Sequence, residues 1–283
     1  MGESCASKSL SSESANTELA NRMSFRSQLG GLRRGVLSAL YRCTIPLGDR
    51  GPIISFTFDD FPRSACSVGA PILERFGARG TYYAAPGLAN TSTDLGELFA
   101  EDDIHSLIDR GHEVASHTFH HSSCRSISAA DFEVDVQEGI KAVELLTGRK
   151  SRNFAYPYGH VTLATKKGLA PYLKSARSII PGINGPEVDL NLLFANQLYG
   201  GMAGTAAVHL LIEKSVAQKG WLIFYTHDVR PNPSEYGCTP DLFEFAVSAA
   251  AQSGSRILTV EQVLDEMGST AAPRLSSDMV ETL

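Results

Sequence analysis

Cysteine is sparse in this 283-residue chain: five residues (Cys5, Cys43, Cys66, Cys124, Cys238), odd in number, widely scattered and without a CxxC pair. That usage excludes a disulfide framework and a cysteine zinc site, and it favours a reducing compartment. Positive charge is in the minority, with 25 Lys and Arg against 31 Asp and Glu and a formal net charge of −6. No basic face is left to compensate phosphate, which argues against a nucleic-acid binder. Long apolar runs are absent as well: nowhere do about eighteen apolar residues follow one another, and no transmembrane helix is expected. The start, Met1-Gly2-Glu3-Ser4-Cys5, has no basic stretch followed by an apolar core. No secretory signal is therefore expected, and the cytoplasm is the expected location.

What is present is ordinary for a globular protein: 43% hydrophobic and 20% charged residues, with a length that fits one large α/β domain or two small ones. Residues 1 to about 28 are rich in Ser, Glu and Asn and are expected to be disordered. Leu32 to Arg42 is a short basic amphipathic stretch. It is expected to pack as a helix under the main domain, with weak association to an anionic membrane surface as the alternative. The expected organisation is an N-terminal extension over 1–50, a main domain over 51–268 and a flexible tail over 269–283.

From Gly51 onward strand-like and helix-like segments alternate. The strands are apolar throughout, as in Pro52-Ile53-Ile54-Ser55-Phe56-Thr57-Phe58 and Trp221-Leu222-Ile223-Phe224-Tyr225. The helix around 130–147 has Ser128 as its cap and Gly148 as its stop. Repeated β-then-α units with strands buried on both faces predict a parallel sheet closed, or nearly closed, into a (β/α) barrel. In a barrel the chemistry sits at the C-terminal strand ends.

Four polar clusters fall at such ends. Asp59-Asp60 ends the first strand, where a turning backbone lets both carboxylates reach one cleft, one for a metal and one as a base. His117 and His121, in Ser116-His117-Thr118-Phe119-His120-His121, are four apart, so a turn of helix would project both imidazoles from one face. His120 is offset from them and reads as a surface residue or a substrate contact. In Tyr156-Pro157-Tyr158-Gly159, a Pro-aromatic-Gly turn can present a backbone N–H to an oxyanion. His227, in Tyr225-Thr226-His227-Asp228, leaves the most apolar strand poised for proton transfer. One carboxylate and two imidazoles supply three ligands and leave a position for water, as a catalytic zinc site requires. A second carboxylate and a further histidine complete a hydrolytic site for an amide.

The motifs Thr57-Phe58-Asp59-Asp60, His117-Thr118-Phe119-His120-His121, Phe154-Ala155-Tyr156-Pro157-Tyr158-Gly159 and Leu222 through Asp228 resemble, in order and spacing, those of the polysaccharide deacetylases. These share the NodB homology domain and form carbohydrate esterase family 4. The resemblance runs from about Pro52 to Met267. It implies a distorted (β/α) barrel of the polysaccharide deacetylase type and removal of N-acetyl groups from an N-acetylated oligo- or polysaccharide, releasing acetate. It implies Asp59 as general base and His227 as general acid. Asp60, His117 and His121 would hold a divalent metal, with zinc ahead of cobalt or nickel, and the Tyr158 N–H would bind the oxyanion.

Three departures follow. Phe61-Pro62 replaces the Gly that often follows the Asp pair, and the Phe61 ring would narrow the cleft or stack on a sugar. Ala155-Tyr156-Pro157 stands where Arg-Pro-Pro is common, so the base-tuning arginine is missing there, and Arg177 on the next strand is the candidate substitute. The Asp-Trp motif is not recognisable, although Asn184 and Asp189 lie in the matching interval. The other readings are an O-acetyl esterase or small-amide hydrolase on the same fold, and a catalytically silent carbohydrate-binding relative.

Overall fold

The computed structural model describes residues 35–150 and 152–268 and the backbone of 274–275. Residues 1–34 lie outside the described residues, and with them the expected disordered start and the first part of the 32–42 stretch. So does most of the tail. The chain divides into two compact units at Leu40/Tyr41. Of the first unit, residues 35–39 are helical. No helix among the described residues is long and apolar enough to cross a membrane.

In the second unit the strands are β1 (Cys43–Pro46), β2 (Ile53–Asp59), β3 (Thr81–Ala84), β4 (Ser92–Thr93), β5 (Gly96–Glu97), β6 (Glu113–Ser116) and β7 (Asn153–Ala155). They continue with β8 (Ser175–Arg177), β9 (Glu187–Asp189), β10 (Asn196–Gln197), β11 (Trp221–Thr226), β12 (Arg256–Ile257) and β13 (Arg274–Leu275). The helices are α1 (Ala70–Arg75), α2 (Glu101–Asp109), α3 (Ala129–Thr147), α4 (Leu163–Leu169), α5 (Thr205–Ala217), α6 (Pro240–Gln252) and α7 (Val260–Gly268).

The main sheet runs β10-β11-β2-β3-β6-β7-β8, all parallel, with β12 also pairing β2. It curls into a distorted barrel. Irregular chain between β9 and β10 stitches its open side: Arg177 bridges Leu193, and the Ala195 N–H donates to the Ile180 carbonyl at 3.0 Å.

Every residue of β2 and β11 is buried, as their unbroken apolar runs require. Alternation then sorts them. Ile54, Phe56, Phe58, Leu222 and Phe224 face the surrounding helices, where Phe58 stacks on Tyr82 at 4.5 Å and Phe56 meets Phe243 at 5.6 Å. Each such side chain contributes about 1.5–3 kcal/mol by leaving water. Ile53, Trp221, Ile223 and Tyr225 face inward, packed with Val260, Val263 and Leu264 of α7, which plugs the barrel's foot. There the Trp221 Nε1–H donates to Ser55 Oγ at 2.9 Å. The opposite rim, at the C-terminal strand ends, is left for chemistry.

Two expectations at the margins are revised. Residues 43–46, assigned to the extension, form β1 and pair antiparallel with β9. Arg274 and Leu275, assigned to the tail, pair with the other edge of β1.

Candidate functional site

Asp59 continues the inward face of β2. Asp60 by alternation belongs to the helix-facing side, but its backbone turns into the left-handed region at φ 53°, which brings its carboxylate back over the rim. The same device recurs at Thr118 (φ 65°), His121 (φ 58°) and Tyr158 (φ 58°). Such conformations are uncommon for residues with a Cβ and concentrate at functional sites.

The structure brings the expected ligands together. Ligand atoms of Asp60, His117 and His121 all lie within 4.8 Å of one another. Asp60 Oδ1 is 3.2 Å from His121 Nε2 and 3.7 Å from His117 Nε2. The His117 Nδ1–H donates to the Ala155 carbonyl at 2.7 Å, which fixes the ring and turns the bare Nε2 toward Asp60. Burial pushes His117 down to about 3, helped by the charges of His121 and Arg177 against the pull of Asp59. Burial likewise takes His121 to about 4, so both imidazoles are neutral donors at working pH. Asp60 is pushed up to about 8 by burial and then by the neighbouring Asp59 charge. Its Oδ1 is buried with no hydrogen-bond partner. A divalent ion fits this donor set: it would satisfy the orphan oxygen and hold Asp60 ionised.

Asp59 has a different partner. The Arg177 Nη2–H donates to Asp59 Oδ1, and both side chains are buried. The guanidinium lies between the rings of Tyr83 and Tyr225, at 5.0 and 5.2 Å, and Nη1 donates to the Ser178 carbonyl at 3.3 Å. Burial would raise the Asp59 carboxyl. The charge of Arg177 and its hydrogen bond outweigh it and hold the group below its ordinary value. Arg177 thus reaches Asp59 from β8, the contact expected of a substitute for the absent motif arginine. It is buried and does not line the cleft.

His227 lines the same cleft, its Nδ1–H donating to the Tyr236 carbonyl at 3.2 Å. Burial lowers its pKa, against the pull of Asp59. The loop carrying Tyr236 is tied down by Asp228, which accepts from Arg230 Nε at 2.7 Å, the Ser234 N–H at 2.9 Å and Ser234 Oγ. Tyr158 stands on the far wall with its ring 4.5 Å from His121. Pro157 is buried beneath that turn and shapes it without facing the cleft. At Gly159 (φ 61°) a Cβ would overlap Ile179, so the turn tolerates only glycine there.

Phe61 is the clear correction. It is fully buried, stacked on Phe99 at 4.3 Å and edge-on to Tyr82 at 5.4 Å. The left-handed turn at Asp60 sends the next side chain into the helix-facing core, so it neither narrows the cleft nor meets a sugar. Asn184 and Asp189 serve elsewhere. Asn184 pairs with the backbone of Phe194 and Trp221, and Asp189 accepts from Lys166 Nζ at 2.6 Å and from the Cys43 N–H at 3.1 Å. His120 is largely exposed and bonded to Asp135, not directed at the cleft.

The cleft encloses about 560 Å³. Part of its wall was not anticipated: Tyr199, Tyr225 and Tyr236 on one side, Leu88, Thr93, Asp94 and Leu95 on the other. Tyr225 could have been found, because it shares the inward face of β11 two residues before His227. The others lie on loops or, for Thr93, on the two-residue β4, without a periodic signal.

Residues 48–172 match the polysaccharide deacetylase family. Over this stretch the chain is similar to that family. Among solved structures, a putative polysaccharide deacetylase from Mycobacterium smegmatis is similar, at 18% identity and a TM-score of 0.59, covering 83% of this chain and 97% of the other. The Xyl-CE4 domain of a multidomain xylanase from the hindgut metagenome of Trinervitermes trinervoides covers 77% and 92%, at 18% identity and a TM-score of 0.53. A mutant of a CE4 family pseudoenzyme covers 77% and 69%, at 13% identity and a TM-score of 0.51. At these identities the likeness is one of fold, and it includes a protein described as a pseudoenzyme. No curated protein sequence matches the chain.

Proposed function

We propose that this domain removes N-acetyl groups from an N-acetylated oligo- or polysaccharide in a metal-dependent hydrolysis. The observation that carries the reading is the convergence of Asp60, His117 and His121 beside a second, separately held carboxylate, Asp59, in one cleft. A divalent ion held by those three residues would supply Lewis acidity and lower the pKa of a water.

The chain's own groups do the rest. Asp59, kept ionised by Arg177, takes the proton from the attacking water. The Tyr158 N–H, aimed by its left-handed turn, donates to the amide oxygen as charge grows on it. His227 delivers a proton to the nitrogen, the C–N bond breaks, and acetate and the free amine leave. The exposed rings of Tyr158 and Tyr236 offer faces on which a sugar can stack.

Catalytic silence is disfavoured, because Arg177 restores the contact that the motif lacks. The test is acetate release from N-acetylated chito-oligomers, before and after chelation and on re-addition of Zn2+, Co2+ or Ni2+. Release that survives complete removal of metal would sink the proposal.

A further inference from the structure

The five residues His117 to His121 include two left-handed, non-glycine conformations, Thr118 at φ 65° and His121 at φ 58°. Each costs on the order of 1–2 kcal/mol relative to ordinary backbone. A free loop would relax, so something must hold this one.

The holding group lies on α3. Asp135 is buried, and its Oδ1 accepts from the Phe119 N–H at 3.2 Å, the His120 N–H at 2.9 Å and the His120 Nδ1–H at 2.9 Å. Its backbone carbonyl also accepts from the Phe119 N–H at 3.1 Å. Gly139, four residues on, sits on the same helix face. A Cβ there would overlap the Thr118 carbonyl and lie 2.7 Å from the Phe119 nitrogen. One turn of helix therefore offers an acceptor and withholds a side chain against the same loop. The helix is itself fixed in phase by the Ser128 cap, which accepts from the Asp131 N–H, and by Gly148 in the left-handed conformation. Neither Asp135 nor Gly139 lines the cleft.

We propose that Asp135, with Gly139, is a positioning residue that holds the 117–121 loop in the shape that aims His117 and His121 at a common ion. The inference rests on the reading of those histidines as ligands. His120, Asp135 and Glu138 also place ligand atoms within 4.8 Å of one another. Three N–H donors converge on Asp135 Oδ1, which marks the group as a clasp on the loop, while its Oδ2 is buried without a partner, so the number of Co2+ ions bound separates a clasp from a second ion site.

The test uses the whole chain loaded with Co2+, whose visible absorption reports the geometry of its ligands. Asp135→Asn keeps the size of the side chain and weakens its acceptor. It is expected to lower Co2+ affinity by about 10–100-fold, the usual effect of losing a group that orients a ligand. It should also alter the Co2+ absorption and speed amide hydrogen exchange at Phe119 and His120. Glu138→Gln, beside it on the exposed face, should change none of these. If Asp135→Ala fails to fold, the Asn variant still decides.

Wild-type affinity, absorption and amide protection in Asp135→Asn would overturn the proposal. So would a second bound equivalent of Co2+ that only that variant loses. A wild-type protein that binds no Co2+ while Asp135→Asn still loses protection at Phe119 and His120 would refute the ligand reading and leave the clasp standing.

Discussion

Arg177 donates from Nη2 to Asp59 Oδ1, joining two strands whose partners are 118 residues apart in sequence. The contact holds the Asp59 carboxyl below its ordinary value and anchors a buried cation against two tyrosine rings. Arg177→Lys keeps a charge but loses the planar fork and the stacking. It is expected to lower kcat on the order of 10²-fold, with metal content unchanged. Since Arg177 holds the Asp59 carboxyl low, weakening it lets that pKa rise, and the acidic limb of the kcat/KM profile moves to higher pH. A profile with an unmoved acidic limb would count against the pairing.

The two carboxylates should separate cleanly by metal analysis. Asp60→Ala and His117→Ala are expected to lose both the ion and activity. Asp59→Asn should retain one ion per chain and lose about 10²–10⁴-fold in kcat. One tightly held ion in the first two variants would contradict the ligand assignment.

His227→Ala tests the acid. Its kcat on an N-acetylated sugar should fall about 10²–10⁴-fold. An aryl acetate, whose leaving group needs no proton, should be cleaved by the variant nearly as well as by the parent. Equal losses on both substrates would remove the acid role.

Phe61→Ala separates core from cleft. Deleting a fully buried, stacked ring should cost about 3–5 kcal/mol in stability. KM at a temperature where the variant is folded should not change. A raised KM without a fall in Tm would return Phe61 to the substrate.

Glu113, buried at the foot of β6, predicts a pH effect away from the site. It accepts from Thr81 Oγ1 at 2.8 Å, Asn153 Nδ2 at 2.6 Å and the Glu261 N–H at 2.9 Å. Burial nevertheless pushes it up to about 7 from an ordinary 4.5. Between those values the unfolded chain has lost a proton that the native chain retains, so stability falls as pH rises through the window and then levels off. The full effect is about 3 kcal/mol at 1.36 kcal/mol per unit. Denaturant titrations of Glu113→Gln against wild type at pH 4.5 and 7.5 should show the gap moving in the variant's favour at the higher pH.

The alternation of strands and helices was legible because long parallel strands must be apolar on both faces, as β2 and β11 are. β9 and β10 were not, since Glu187-Val188-Asp189 and Asn196-Gln197 are short and polar and gain their order from their neighbours. The convergence of Asp60, His117 and His121 was legible from residue type at strand ends. Arg177 was legible only as a candidate, because sequence does not say which inward side chains meet across a barrel. Phe61 was misread because one backbone angle, at Asp60, decides which side of the sheet follows. The tyrosine wall had no signal beyond the parity of Tyr225 with His227.

Trp221 is the chain's one tryptophan, fully buried on α7 and bonded to Ser55, at the end of β11 away from His227. That makes the protein its own optical gauge. Emission from a single enclosed indole should stay blue while the barrel floor is intact and redden only when it opens. None of the substitutions discussed touches that indole, so one fluorescence trace can separate a lost fold from a lost reaction in every variant.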